Sequence, residues 1–247
     1  MKNGTPNEWF KEWFDSPYYH ILYNHRDDEE ATFFIDHLID FLDPGKDSEM
    51  LDLACGRGRH AVYLNKKGFD VTGVDLSPES IRFASAFENS RLKFYVHDMR
   101  HLLLTNGFDY IFNLFTSFGY FERKNENLKA IRNMASALKK GGKLVLDFLN
   151  VEHIREGCEG EQLKEIDGIR FHLNKEIRND QVIKKILVED GNRTFDFEEK
   201  VMLLQESDFE DYFRNSGLQV LNIFGSYDLE PFDLKSSDRL IYIVQKS

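Results

Sequence analysis

Residues 51–60 read LDLACGRGRH. An aliphatic run carries one acid, Asp52, and then breaks into Ala54-Cys55-Gly56-Arg57-Gly58. Glycine at the end of a strand permits positive φ and lets the backbone come close to a ligand. A helix starting near Arg59 would aim its first unpaired N–H groups at the same place. A plain strand-to-helix turn needs one glycine. Two of them one residue apart, with an acid just ahead, point to a nucleotide-type cofactor.

The flanking sequence supports that geometry. EMLDLA reads as a short buried strand ending at Leu53, and RHAVYLNKKG as a helix closed by Gly68. FDVTGVDL is a second strand. SPESIRFASAFE is a helix with Ser77 as N-cap and Pro78 at its first position. LKFYVHD and FDYIFNLF are the third and fourth strands. NENLKAIRNMASALKKGG predicts a helix with a glycine stop, and KLVLDFLN a fifth strand. Upstream, the acids of DDEE at 27–30 suit the start of a helix. It runs through ATFFIDHLIDFL, with Phe34, Leu38, Phe41 and Leu42 on its apolar face and Pro44-Gly45 at its end.

Alternation of strand and helix over residues 31–150 calls for a parallel sheet covered on both faces, with right-handed crossovers. The pattern breaks after Asn150. From about residue 168 to 204 come three β-rich stretches joined at Asn179-Asp180 and Gly191-Asn192, an antiparallel meander. SDFEDYFRNSG follows as a helix capped by Ser207 or Asp208 and stopped at Gly217. LQVLNIFGS and RLIYIVQKS are two closing strands. The expected fold is α/β: a doubly wound, Rossmann-like, seven-stranded and mostly parallel sheet with an inserted antiparallel β meander. The expected domains are a helical lid over 1–30, a cofactor-binding core over 31–150 and 205–247, and a β insertion over 151–204 covering the site.

Composition bounds the function. The chain has 247 residues, enough for one large domain, and a formal net charge of −11. Such a surface repels phosphate backbones, which argues against nucleic acid as a partner. Two cysteines, Cys55 and Cys158, make no disulfide framework and fit a reduced, cytoplasmic setting. The start, MKNGTPNEWFKEWF, lacks the features of a secretory signal, and WFKEWF is expected to pack over a groove of its own protein. No run reaches the length of a membrane span. The histidines form no H-x-x-x-H or C-x-x-C set, so no metal site is expected.

Two ligands fit the glycine loop. Gly56, Gly58 and Ala61 satisfy the dinucleotide pattern G-x-G-x-x-G/A, a weak match. The fuller pattern is acid-x-Ala-x-Gly-x-Gly from Asp52 to Gly58. It resembles motif I of the class I S-adenosylmethionine-dependent methyltransferases, where the loop bends around the methionyl part of the cofactor. An acid suits that cofactor's ammonium better than it suits a pyrophosphate, so Asp52 discriminates. Asp75 ends the second strand, where either cofactor would offer ribose hydroxyls. The resemblance extends to Asp98, implied to receive the adenine amino group, and to Met99, implied to lie against the ring. It also covers LKKGGKLVLDF before the fifth strand.

The stretch FNLFTSFGYF resembles that of bacterial small-molecule N-methyltransferases, amino-sugar enzymes included. Those enzymes carry Tyr-x-x-x-Tyr near the N-terminus, matched by Tyr19 and Tyr23, and histidine where this chain has Tyr120. The resemblance implies cofactor contacts at Tyr23, Asp52, Ala54, Gly56, Gly58, Asp75, Leu76, Asp98, Met99 and Leu114. It implies Tyr19 and Tyr120 on the catalytic side. The implied cofactor is S-adenosylmethionine, leaving as S-adenosylhomocysteine, and the implied partner a small-molecule acceptor of the methyl at N or O. The chain would act as a monomer or homodimer. Two other readings remain. An NAD(P)-dependent oxidoreductase should show phosphate-binding signals after the fourth strand, and the sequence has none. A catalytically silent cofactor-binding protein would keep the motifs without turnover.

Overall fold

The computed structural model describes residues 9–23, 28–157 and 160–247. The readings that fall on residues 1–8, Asp27 and Cys158 lie outside them. Two short helices, α1 (Trp9–Phe14) and α2 (Pro17–Leu22), precede α3 (Asp28–Leu42). Then follow β1 (Glu49–Leu53), α4 (Arg59–Lys66), β2 (Asp70–Asp75), α5 (Pro78–Ala84), β3 (Leu92–Val96) and β4 (Phe108–Asn113). Next come α6 (Lys124–Ala137), β5 (Leu138–Leu149), α7 (Val151–Gly157), β6 (Gly160–Ile166), β7 (Ile169–Arg178), β8 (Gln181–Asp190) and β9 (Arg193–Met202). The chain closes with α8 (Glu206–Arg214), β10 (Leu218–Phe224) and β11 (Arg239–Lys246).

The main sheet has seven strands in the order β10-β11-β5-β4-β1-β2-β3. Five run parallel, and β11 and β10 join antiparallel. Both faces are apolar, as a sheet sandwiched between helices requires. Met50, Val71, Phe112, Val145 and Ile241 face one cluster with α3, α4 and α5. Leu51, Val74, Ile111, Leu144 and Tyr242 face another with α6, α8 and the aromatic residues of α1. The strand order reverses beside β1: β2 lies on one side and β4 on the other. The carboxyl ends of these strands therefore open a crevice there.

The insertion is a four-stranded antiparallel sheet, β6-β7-β8-β9. Its turns at Asp167-Gly168 and Asn179-Asp180 have positive φ at both central residues, the turn that matches strand twist. The expected meander lacked β6, because GEQLKEI is exposed along almost its whole length and carries no apolar alternation.

Four local expectations are corrected. The helix before β5 ends at Ala137, not at a glycine. Residues from Leu138 are extended, and Gly142 lets the backbone pass where a Cβ would sit 2.9 Å from the Lys139 carbonyl. Phe41 is 46% exposed and packs edge-on against Phe224, while Ile35 takes its place inside. The N-cap of α8 is Gln205, whose N–H donates to the Asp208 carboxylate from within the first turn. The short helix α7 was not expected at all. Asn150 starts it by accepting the Glu152 N–H and donating to the carbonyls of Leu234 and Ser237.

Candidate active site

The crevice begins with the glycine loop. Ala54, Gly56 and Gly58 all have positive φ, at 66°, 54° and 84°. This coils the chain so that the N–H groups of Ala54 and Cys55 both reach the Val74 carbonyl, at 2.8 and 3.0 Å. The Gly56 N–H donates to the Asp75 carboxylate at 2.8 Å, and the Ser77 N–H reaches its other oxygen at 2.9 Å. Burial pushes the Asp75 carboxyl upward and these N–H bonds oppose it. A Cβ at Gly56 would meet nothing within 4 Å, whereas one at Gly58 would stand 2.8 Å from the Phe94 ring. Gly56 thus faces open space and Gly58 is tightly packed. Gly73 permits the same packing from β2, since a Cβ there would sit 2.5 Å from Phe94.

Around this loop Leu53, Ala54, Asp75, Leu76, His97, Asp98 and Met99 line a cleft from the strand ends. Ser117, Tyr120 and Phe121 line it from the loop after β4, and Phe10 and Phe14 from α1. Asp98 is held by Arg100, whose Nε and terminal nitrogen donate to its oxygens at 3.1 and 2.7 Å. Burial alone would raise this carboxyl; the Arg100 hydrogen bonds and charge bring it below its ordinary value. The same guanidinium pairs with Glu126 and lies over the rings of Phe10 and Phe121. Tyr120 packs against Trp9 and Phe14, and its hydroxyl donates to the Thr116 carbonyl.

The cleft is walled on one side by α1, and the N-terminal helices are fastened in two places. Asp15 accepts the Ser77 hydroxyl at 2.6 Å and the Glu79 N–H at 3.0 Å at the start of α5. Glu199 on β9 accepts Trp13 Nε1 and the Tyr23 hydroxyl, both at 2.7 Å, with Lys184 beside it at 3.7 Å. Trp13 is fully buried and packs against Phe197, ring centres 4.7 Å apart and planes tilted by 42°.

A model of a methyltransferase domain matches residues 50–142. The chain is 29% identical over 218 residues to "Putative methyltransferase YqeM" of Bacillus subtilis, covering 80% of this chain and 84% of that protein. It is 27% identical to dTDP-3-amino-3,4,6-trideoxy-alpha-D-glucopyranose N,N-dimethyltransferase of Streptomyces venezuelae, over 70% of this chain and 76% of that one. A solved S-adenosylmethionine-dependent methyltransferase from Clostridium acetobutylicum superposes with a TM-score of 0.79 at 23% identity, covering 93% of this chain and 96% of the other. Residues 50–142 thus match a methyltransferase domain, and the fold is that of S-adenosylmethionine-dependent methyltransferases. The oxidoreductase reading of the glycine loop falls away.

Of the residues expected at the site, the methyltransferase gathers Ala54, Asp75, Leu76, Asp98, Met99 and Tyr120 around one cleft, with Gly56 and Gly58 in the loop that frames it. Asp52 lies beneath the loop: it is 1% exposed and accepts the Ala61 N–H at 3.0 Å. Burial pushes its carboxyl up to about 7. Leu114 is buried in the core on the far side of the sheet. Tyr19 packs on Phe14 at the back of the cleft, and Tyr23 is engaged with Glu199 and Lys184. Neither tyrosine is among the lining residues.

Sequence reasoning missed Phe10, Phe14, Arg100 and Ser117. The WFKEWF stretch did signal a groove cover; nothing local marked Arg100. Among the described residues no group of three or more His, Cys, Asp or Glu side chains could hold a metal, and no helix is long and apolar enough to cross a membrane.

Proposed function

We propose that this methyltransferase places the methyl group on the amine nitrogen of a small-molecule acceptor held between α1, the loop after β4 and the inserted sheet. The observation that carries the reading is the cleft wall. Phe10, Phe14, Tyr120 and Phe121 share the lining of the cleft with the two carboxylates of Asp75 and Asp98. An aromatic wall favours a cationic centre over a neutral one. It therefore suits a sulfonium and the ammonium that results from N-methylation. The similarity to a relative named as an amino-sugar N,N-dimethyltransferase agrees.

The residues present fit the cofactor. Gly56 has room for an approaching ligand, Asp75 offers a carboxylate at the end of β2, and Asp98 offers one two residues beyond β3. Asp75 would hold ribose hydroxyls and Asp98 the adenine amino group, with Leu76 and Met99 against the ring. Ala54, Gly56 and Gly58 would shape the methionyl end. When bound, S-adenosylmethionine supplies an activated methyl on a positive sulfur, so the protein needs no nucleophile of its own.

What remains for the chain is to orient the acceptor, keep it neutral and keep water out. Burial favours an uncharged amine. Tyr120, gripped by two rings and the Thr116 carbonyl, orients the acceptor; a phenol does not take a proton near neutral pH. Residues 1–30 act as the lid and 151–204 as the cover of the acceptor side, a reading supported by the Trp13–Glu199 and Tyr23–Glu199 bonds. The acidic surface and the paucity of cysteine support a cytoplasmic enzyme that does not use nucleic acid.

The test is formation of S-adenosylhomocysteine by the purified chain with glycine and a dTDP-linked amino sugar, against hydroxyl counterparts of each. Turnover with an amine and not with its counterpart is expected. Turnover with hydroxyls alone, or with neither class, rejects the acceptor assignment.

A further inference from the structure

The loop after β4 holds two consecutive non-glycine residues in left-handed conformation, Phe115 at φ 55° and Thr116 at φ 58°. L-residues avoid this region, and a β-branched residue does so most strongly. Something must hold them there. Asp147, on β5 and fully buried, accepts the Phe115 N–H at 2.6 Å, and its own carbonyl accepts the Thr116 N–H at 3.2 Å. Arg239, the first residue of β11, donates through Nε to Asp147 at 2.8 Å. One of its terminal nitrogens donates to the Thr116 hydroxyl, also at 2.8 Å. The Thr116 carbonyl in turn takes the Tyr120 hydroxyl. An unbroken set of bonds runs from β11 through β5 and the strained pair to a cleft residue.

A buried ion pair is weak evidence for stability, because taking two charges out of water costs much of what their attraction returns. Two strands in the middle of a sheet have no need of one. We infer that Asp147 and Arg239 are positioning residues for methyl transfer. They clamp the backbone at 115–116 so that Tyr120 and Ser117 face the acceptor. The inference rests on the proposed acceptor reading for what the loop contacts, and on the structure alone for what holds the loop.

Arg239→Lys keeps a cation against Asp147 but lacks the planar fork that reaches Asp147 and Thr116 together. Losing that charged hydrogen bond should raise amide exchange at Phe115 and Thr116 about tenfold or more, with β5 and β11 protection changed less than about threefold. With glycine and the dTDP-linked amino sugar as probes, kcat should fall about tenfold while S-adenosylmethionine affinity by calorimetry stays within about threefold. Adding Thr116→Gly should restore most of the lost kcat, because glycine adopts positive φ without a clamp. A pair serving only to join β5 to β11 would not respond to a glycine in the loop.

Unchanged exchange at 115–116 in Arg239→Lys, or no recovery in the double variant, overturns the inference. If wild type turns over neither probe, the acceptor assignment fails by itself. The clamp is then judged by exchange in the single and double variants: Thr116→Gly should leave 115–116 as mobile as in Arg239→Lys without loosening β5. Should Arg239→Lys not fold, Asp147→Asn is read by the same exchange pattern. It keeps the Phe115 acceptor and removes the charge.

Discussion

Gly56 donates its backbone N–H to the Asp75 carboxylate at 2.8 Å, so the loop after β1 and the end of β2 are joined before any ligand arrives. The acid therefore shapes the loop, besides the ligand contact proposed for it. Asp75→Ala should weaken S-adenosylmethionine binding by about 1–3 kcal/mol through lost charged hydrogen bonds. Titration calorimetry checks this; unchanged affinity would remove Asp75 from the cofactor site.

The two glycines of the loop should separate under substitution. Gly58→Ala forces a methyl to 2.8 Å from the Phe94 ring and 3.1 Å from the Ala84 Cβ. Overpacking on top of a φ of 84° should cost about 2–4 kcal/mol of stability. Gly56→Ala meets no neighbour and should cost only the conformational strain, about 1–2 kcal/mol. Its larger effect should fall on cofactor affinity. Urea unfolding and calorimetry on both variants would show whether stability and binding divide this way.

Two buried groups near the loop pull stability in opposite directions with pH. Asp52 has its pKa raised to about 7 by burial, so the folded state binds its proton more tightly than the unfolded chain. Its contribution is complete below the unfolded value near 4 and is lost as pH rises to about 7. Asp52→Asn should gain on wild type across that window, by up to roughly 4 kcal/mol. His60 has its pKa lowered to about 3, chiefly by burial, and its Nε2 has no hydrogen-bond partner among the described residues. Its contribution is complete above the unfolded value near 6.5 and is lost as pH falls.

His60→Phe keeps the stack on Phe115, whose ring lies 5.1 Å away at 10°. Relative to its own stability at pH 7.5, it should lose about 2 kcal/mol less than wild type on going to pH 5. Denaturant melts of the wild type and both variants at four pH values measure each difference. Parallel curves would sink the assignments.

Glu199 fastens α1 and the end of α2 to β9 through Trp13 and Tyr23. Glu199→Ala leaves both donors and Lys184 without this partner, at a cost of about 1–3 kcal/mol. The loss should be local. Amide exchange of residues 9–23 should rise well before that of the main sheet, and a uniform rise across the chain would contradict a fastened lid.

The core of the fold was legible because each crossover is written locally. Ser77-Pro78 opens α5, Gly68 closes α4, and the acids at 75 and 98 stand at strand ends where the sheet topology brings them together. Residues whose role depends on long-range pairing were not legible. Arg239 meets Asp147 only because β11 inserts between β5 and β10. Glu199 meets Trp13 across 186 positions of chain. Asp52 was read for its charge, and only the three-dimensional structure shows that the helix α4 takes up its oxygen. The exposed strand β6 lacks a periodic signal because hydrogen bonds to β7, not burial, make it a strand.

The place of β11 in the sheet bears on how the enzyme is made. Strands β1 to β5 can pair with one another while the chain is still leaving the ribosome. Arg239 emerges after every other element except the strand it begins. Until then the backbone at 115–116 lacks the bonds that Arg239 makes to Asp147 and Thr116. A nascent chain would therefore acquire its nucleotide-shaped half first and its catalytic competence last.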